Sequence, residues 1–376
     1  MEFTINKEYL SQAVSDVSKA VSARTTLPIL SGIKMAADHG RLTLTGSNAE
    51  IVIERVLYSN VQGESMVAVH KTGSIVVSAK YLNDLIKKLP GDLLVKVGEN
   101  HSVSIQSEDI VVSLKGFHAG EFPRLTMSQP EASHKLPGTV LADMIKRTMF
   151  AVSKNGARPV LTGVHFVFDQ NFFCSTATDS LRLATYKHNI GTSLIGSFIV
   201  PQPALNEFLK LMGSYTGEVT LKLTESYIEF STDVFSFYSR LIAGKYPNTA
   251  SLIPNEFKTV ITLQASDFLK GIDRAALFAG EWNNNNVNLT LLEGKKLGIS
   301  SRSMESGTIH EIQNINSLEG EEELSISLDG KFLTEALRGI KDEEIKISFS
   351  GSMKPVLIES VSDSPYQHLI SPVRAY

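Results

Sequence analysis

The chain has 376 residues, 42% hydrophobic and 20% charged, with 26 Gly and 13 Pro, a composition of ordinary globular proteins rather than fibrous or disordered ones. One cysteine, Cys174, excludes an intrachain disulfide and a four-cysteine zinc site, and a net charge of −4 means that any nucleic-acid role depends on where the cations lie. No stretch approaches the apolar length of a membrane span, and Met1-Glu2-Phe3-Thr4-Ile5 does not open a charged-then-apolar leader, so a cytoplasmic protein is expected.

The first third opens with a strand at Phe3-Thr4-Ile5. A helix over 7–20 follows, with Leu10, Ala13, Val14, Val17 and Val21 on one face, then Leu27-Pro28-Ile29-Leu30 and the strand Leu42-Thr43-Leu44-Thr45. Its second half repeats the plan: Ile75-Val76-Val77 enters a helix over 79–89 with Leu82, Leu85, Ile86 and Leu89 aligned, followed by alternating strands such as Leu94-Val95-Lys96-Val97.

The middle third repeats this order. A helix over 138–152 carries Leu141, Met144, Ile145 and Val152; Pro159-Val160-Leu161-Thr162-Gly163 matches Pro28-Ile29-Leu30-Ser31-Gly32; and a second helix spans 201–212. Cys174, in the apolar run Asn171-Phe172-Phe173-Cys174, is expected to be a small buried hydrophobe. The last third has helices over 264–279 and 329–341, with strands around Val287-Asn288-Leu289 and Leu297-Gly298-Ile299.

Six helix-plus-strand units therefore fill the chain. A helix with one apolar stripe needs a sheet to lie on, which gives an α+β fold of three tandem domains, each with two helices packed on antiparallel sheets. Boundaries fall at the linker-like Met127-Ser128-Gln129-Pro130-Glu131 and at Pro254-Asn255-Glu256, giving domains 1–128, 129–253 and 254–376. A solenoid is the competing architecture, but its units usually run ~20–45 residues, shorter than the ~60 of this repeat.

The six predicted helices hold 13 Lys and Arg against 9 Asp and Glu, so they carry +4 and the remainder −8. Helices attract Lys and Arg for solubility alone; if these helices share one side, the bias becomes a basic wall on an acidic protein. The sequence has no GxxxxGK[ST], no GxGxxG and no HExxH, and acid runs such as Glu321-Glu322-Glu323 have the look of solvated turns. A non-enzymatic protein without metal or cofactor is the expectation.

Ala23-Arg24-Thr25-Thr26-Leu27-Pro28-Ile29-Leu30, Ala177-Thr178-Asp179-Ser180-Leu181-Arg182-Leu183-Ala184, Lys245-Tyr246-Pro247 and Leu369-Ile370-Ser371-Pro372-Val373-Arg374 stand in the order, and the whole chain has the plan, of the bacterial beta sliding clamps, which this sequence resembles, the Gram-positive ones most. The resemblance implies a ring-shaped head-to-tail homodimer around double-stranded DNA that tethers the replicative DNA polymerase, the clamp loader and repair proteins by short apolar peptides. It places the peptide pocket at Leu161, Thr178, Ser180, Leu181, Arg182, Leu183, Pro247, Leu252, Leu369, Pro372, Val373 and Arg374. It places DNA contacts at Arg24, Lys154, Asn155 and Arg158, and leaves the Asn283–Asn286 run open as a DNA contact or a solvated turn. The implied dimer interface joins an edge strand of the first domain, at Val112 and Leu114, to one of the third, at Leu277 and Phe278. The chain departs from the family at Ser180-Leu181, where many members have Gly-His, at Ser371, where some have Met, and at Pro159-Val160, where aromatic residues are frequent. The alternative function is a repeat-built peptide-binding scaffold that does not encircle DNA.

Overall fold

In each repeat a strand leads directly into a helix, and the turn between them is capped locally. The Asn6 side chain accepts the Glu8 amide (2.9 Å) at α1 (Lys7–Ser18), and Asp329 accepts the Lys331 and Phe332 amides (2.8 and 3.1 Å) at α6 (Gly330–Arg338). The other helices are α2 (Ala79–Ile86), α3 (Gly138–Thr148), α4 (Gln202–Met212) and α5 (Ala265–Ala276). All six stand where the apolar stripes predict them; α4 ends at Met212 as expected, and the other five stop short at the C-terminal end. Lys88 and Leu89 bond to Leu85 and Ile86 instead, and Met149–Ala151 forms its own tight turn, because the last turn of a helix tightens to reach its free carbonyls.

The computed structural model describes residues 1–22, 25–59, 66–123, 132–191, 195–279, 286–303, 307–362 and 365–373. Arg24, Arg374, the linker 127–131 and Asn283–Asn285 lie outside them. Two compact units emerge, Met1–Leu141 with Pro203–Leu241, and Ala142–Gln202 with Ile242–Tyr376.

The first unit is built on one antiparallel sheet of 13 strands. Near its middle, Phe235–Arg240, the last strand of the second repeat, pairs with Ile51–Tyr58 of the first, Phe237 opposite Ile53. Phe208 of α4 packs on Phe230 and Phe237 beneath it, with ring centroids 4.6 and 5.5 Å away. The second unit has a nine-stranded and a four-stranded sheet. In the larger, Tyr366–Ile370, the last strand of the third repeat, pairs with Arg182–Asn189 of the second, Leu183 opposite Leu369. Phe268 and Ile272 of α5 and Leu333 and Leu337 of α6 fill a common core, each such side chain contributing about 1.5–3 kcal/mol.

Two sequence expectations change. Cys174 is half-buried, with its Sγ 3.3 Å from Thr185 Oγ1, because its strand position faces a row of threonine hydroxyls rather than the helices. Leu277 and Phe278 are not on a strand: they form the tight turn that ends α5, where Leu277 N–H bonds Arg274 O and Phe278 N–H bonds Ala275 O. The exposed strand edge of that repeat is Gly307–Asn314, which pairs only with Lys296–Ser303.

Candidate functional site

The segment Thr178–Leu183 makes a sharp corner between two strands of the second unit, and its own polar side chains hold it. Thr178 Oγ1 accepts the Ser180 amide (3.1 Å), and Asp179 Oδ1 accepts the Leu181 and Arg182 amides (3.0 Å each). Ser180 adopts a left-handed backbone, φ +80°, which ordinarily favours glycine and costs a serine roughly 1–2 kcal/mol. This explains a Gly-to-Ser departure tolerated at the price of strain. Leu181, next along, is 57% exposed.

Two apolar clusters flank the corner. Leu161, Ile199 and Tyr246 are packed by Val160 and Ile242; Leu183, Leu357 and Leu369 are packed by Ile253 and Phe257. Tyr246 links them: its hydroxyl accepts the Thr178 backbone N–H at 3.0 Å while its ring stacks on His165 at 4.6 Å. Burial pushes its phenol well above the usual tyrosine range, so it stays a neutral hydrogen-bonding group. The C-terminal segment closes the far side, with the Ser371 amide on Leu181 O (2.8 Å) and the Val373 amide on Ser327 O (2.9 Å). Pro247 and Leu252 are exposed beside this wall, and Pro372 and Val373 are half-buried in it. Leucine, valine and proline side chains with few polar groups therefore gather beside the corner, a surface suited to apolar side chains of an extended chain.

Arg182 stands apart from the other expected pocket residues. Its guanidinium is buried, bonded to Asp179 Oδ2 (3.0 Å), to Glu335 of α6 and to Phe150 O (2.7 Å), and stacked 4.2 Å over Phe332. It braces the corner from below. His368, on the adjacent strand, is fully buried against Phe150 (5.0 Å) with Nε2 unpartnered. Burial, and then the nearby Arg182 charge, push its pKa down to about 3. Tyr246, Leu357, Ile253, Phe257, Asp179 and His368 were absent from the sequence-based pocket. Leu357 and His368 had a usable signal, the strict alternation of Val356–Ser360 and Tyr366–Ile370; the corner brace had none.

Lys154, Asn155 and Arg158 share one exposed loop. Asn155 is occupied internally, its Oδ1 accepting the Ala157 amide (3.0 Å), while Lys154 and Arg158 form no ion pair among the described residues. Of the 13 helix cations, seven sit in ion pairs: Lys19, Arg147, Lys210, Lys270, Arg274, Arg338 and Lys341. Six of these seven pair with helix acids that the net +4 already subtracts, and Arg274 pairs with Glu311 on a strand, so the pairing leaves the helix charge close to the sequence count. Among the described residues no cluster of acids, histidines and cysteine could hold a metal ion, and no helix is long and apolar enough to cross a membrane.

Three family models cover nearly the whole chain: the N-terminal domain of the DNA polymerase III beta subunit at residues 1–126, its central domain at 135–248 and its C-terminal domain at 250–374. The beta sliding clamp of Bacillus subtilis is 38% identical over 379 residues, covering 100% of both chains. The crystal structure of the DNA polymerase sliding clamp from the same organism superposes with a TM-score of 0.96 at 37% identity, and the DNA polymerase III beta chain of Streptococcus pneumoniae with 0.94 at 30%, each covering 100% of both chains.

Proposed function

We propose that this chain, which belongs to the DNA polymerase III beta subunit family and is a sliding clamp of DNA replication, closes head to tail with a second copy into a ring around duplex DNA. The observation that carries this is a pairing rule. The last strand of the second repeat pairs with a strand of the first, and the last strand of the third pairs with the equivalent strand of the second. Among the described residues the last strand of the first repeat, Ile110–Phe117, has one unpaired edge along Ile110–Lys115, and Gly307–Asn314, the third repeat's counterpart of Ile51–Tyr58 and Arg182–Asn189, has another. A second copy that continues the rule joins these two edges, and two such heterologous contacts close a ring. Val112 and Leu114 lie on the first edge; Leu277, exposed, and Phe278 lie beside the second.

Three clamp domains, 1–128, 129–253 and 254–376, supply this repetition. Lys154 and Arg158, with Arg24, face the duplex and contact phosphate, which gives salt-dependent binding without sequence preference. The groove at Thr178–Leu183 receives short apolar peptides of the replicative polymerase, the clamp loader and repair proteins. The chain's part is binding, in the cytoplasm, with no chemical step of its own.

Loading the protein onto nicked circular DNA and then linearising the circle tests topology directly: a ring stays on the circle and runs off the linear form. Equal release from both would leave only the peptide-binding scaffold.

A further inference from the structure

Each repeat sets the same two positions against each other, one on the third turn of its first helix and one on the strand opposite. The helix positions are Asp16, Arg147 and Arg274; the strand positions are Arg55, Tyr186 and Glu311, which lie across from Leu44, Ser175 and Ile299 in the same register. The chemistry is permuted while the coupling is kept. Asp16 holds Arg55 at 3.5 Å, Arg147 lies 5.7 Å from the Tyr186 ring, and Arg274 grips Glu311 by two bonds of 2.7 and 2.6 Å.

In the first two repeats a third residue closes the pair from the final strand of the next repeat. Phe235 lies opposite Arg55, and Tyr366 lies opposite Tyr186, with the Arg147 guanidinium also 5.4 Å from its ring. These closing residues are 4% and 0% exposed. The third pair has no closing strand among the described residues of this chain, and a cavity of about 470 Å³ opens beside Arg274 and Glu311, walled by Asp267, Lys270, Ile312 and Gln313. The residue equivalent to Phe235 and Tyr366 in the first repeat is Ile110, and it is 43% exposed.

We propose that Arg274 and Glu311 are the waiting half of a third junction, completed by Ile110 of a second copy of this chain, and that this pair sets how tightly the two copies hold each other. The inference rests on the head-to-tail assembly proposed above. Continuing the register places Ile110 of one copy opposite Glu311 of the other and Ser113 opposite Thr308. The free chain already presents the pair in a fixed geometry. Gln313 Nε2 ties Glu311 Oε1 (2.8 Å) to the Asp267 carbonyl (2.8 Å), and Gly271 leaves room for it, since a Cβ there would lie 2.4 Å from Gln313 Nε2. Arg274 and its hydrogen bonds hold the Glu311 carboxyl below the usual range, so a charged, partnered carboxylate meets the incoming strand. Covering that carboxylate without its arginine would bury an unpaired charge. Isoleucine is smaller than the phenylalanine and tyrosine that close the other two junctions, which makes the intermolecular one the least filled.

The dimer dissociation constant, measured by sedimentation or mass photometry, tests this. Arg274→Ala is expected to weaken the dimer by about tenfold or more, Arg274→Ala with Glu311→Gln to recover most of the loss, and Ile110→Phe to tighten it. The assembly itself is probed separately by Ser113→Cys with Thr308→Cys in a Cys174→Ser background, which forms a disulfide between copies only if the strands meet in this register. A cross-link with Arg274→Ala within twofold of the parent overturns the role of the pair and leaves the assembly standing; no cross-link overturns the assembly reading on which it rests.

Discussion

The corner Ser47–Val52 in the first unit and the corner Thr178–Leu183 in the second are the same structure with different walls. In the first, Ser47 Oγ accepts the Ala49 amide (3.1 Å), Asn48 Oδ1 accepts the Glu50 and Ile51 amides (3.0 and 2.9 Å), Ala49 takes φ +75°, and the Arg240 amide reaches Glu50 O (2.9 Å). Each contact has its counterpart at Thr178–Leu183 and Ser371. Around the first corner, however, Glu50 stands for Leu181, Phe122 for Tyr246, Phe237 for His368, and Glu229 and Tyr238 for Leu357 and Leu369. The positions that make an apolar groove in one repeat carry a Lys222–Glu229 ion pair and a phenol in the other. Backbone geometry is therefore permissive, and side-chain chemistry makes the surroundings of one corner apolar and those of the other polar.

Four experiments break or sharpen that contrast. The largest effect is expected from removing Ser371–Tyr376, which takes away the wall formed by Pro372 and Val373: binding of an apolar peptide, followed by fluorescence anisotropy, should vanish while the dimer persists. Parental affinity in the truncated protein would relocate the groove. Next is pH. His368 is held neutral by burial and Arg182, so its folded pKa of about 3 lies below the unfolded value; its contribution is complete above about pH 6.5 and is lost at about 1.4 kcal/mol per pH unit as pH falls toward 3. His368→Phe, copying the Phe237 position, should flatten that acid limb in denaturant titrations at pH 4.5 and 7.5.

Tyr246→Phe, which copies Phe122, leaves the buried Thr178 amide without its acceptor and should cost about 1–3 kcal/mol of stability, with a matching loss of peptide affinity if the corner holds the groove open. The opposite exchange at Phe122 should leave peptide binding unchanged. Smallest is the relief of backbone strain: Ser180→Gly and Ala49→Gly should each raise the melting free energy by up to about 1 kcal/mol, and unequal gains would show that the two corners are not equivalent.

Much of this was legible in the sequence. Apolar stripes located all six helices because a one-faced helix must bury that face, and the pairing of Pro28-Ile29-Leu30-Ser31-Gly32 with Pro159-Val160-Leu161-Thr162-Gly163 recurs as matching tight turns. Ser31 Oγ bonds Pro28 O (2.6 Å) in one, and Thr162 Oγ1 bonds Pro159 O (2.7 Å) in the other. Leu161, Leu183 and Leu369, which the resemblance assigns to a peptide pocket, lie in the apolar clusters beside the corner. Helix ends and the strand assignment at Leu277 and Phe278 were not legible because the apolar stripe of a helix runs on into its closing tight turn, and the half-exposed Cys174 was not because its neighbour Thr185 lies on the adjoining strand.

By itself, then, the sequence determined the repeat, the element types and the family, all of which are written in local periodicity and ordered motifs. Tertiary structure alone decided that Arg182 braces a corner instead of lining it, that Arg274, Arg338 and Lys341 are already paired, and that one strand edge at each end of the repeat series is left open among the described residues. Those outcomes turn on partners distant in sequence, as Arg182 meets Glu335 and Lys341 meets Asp143, and pairing at that separation leaves no trace in local pattern.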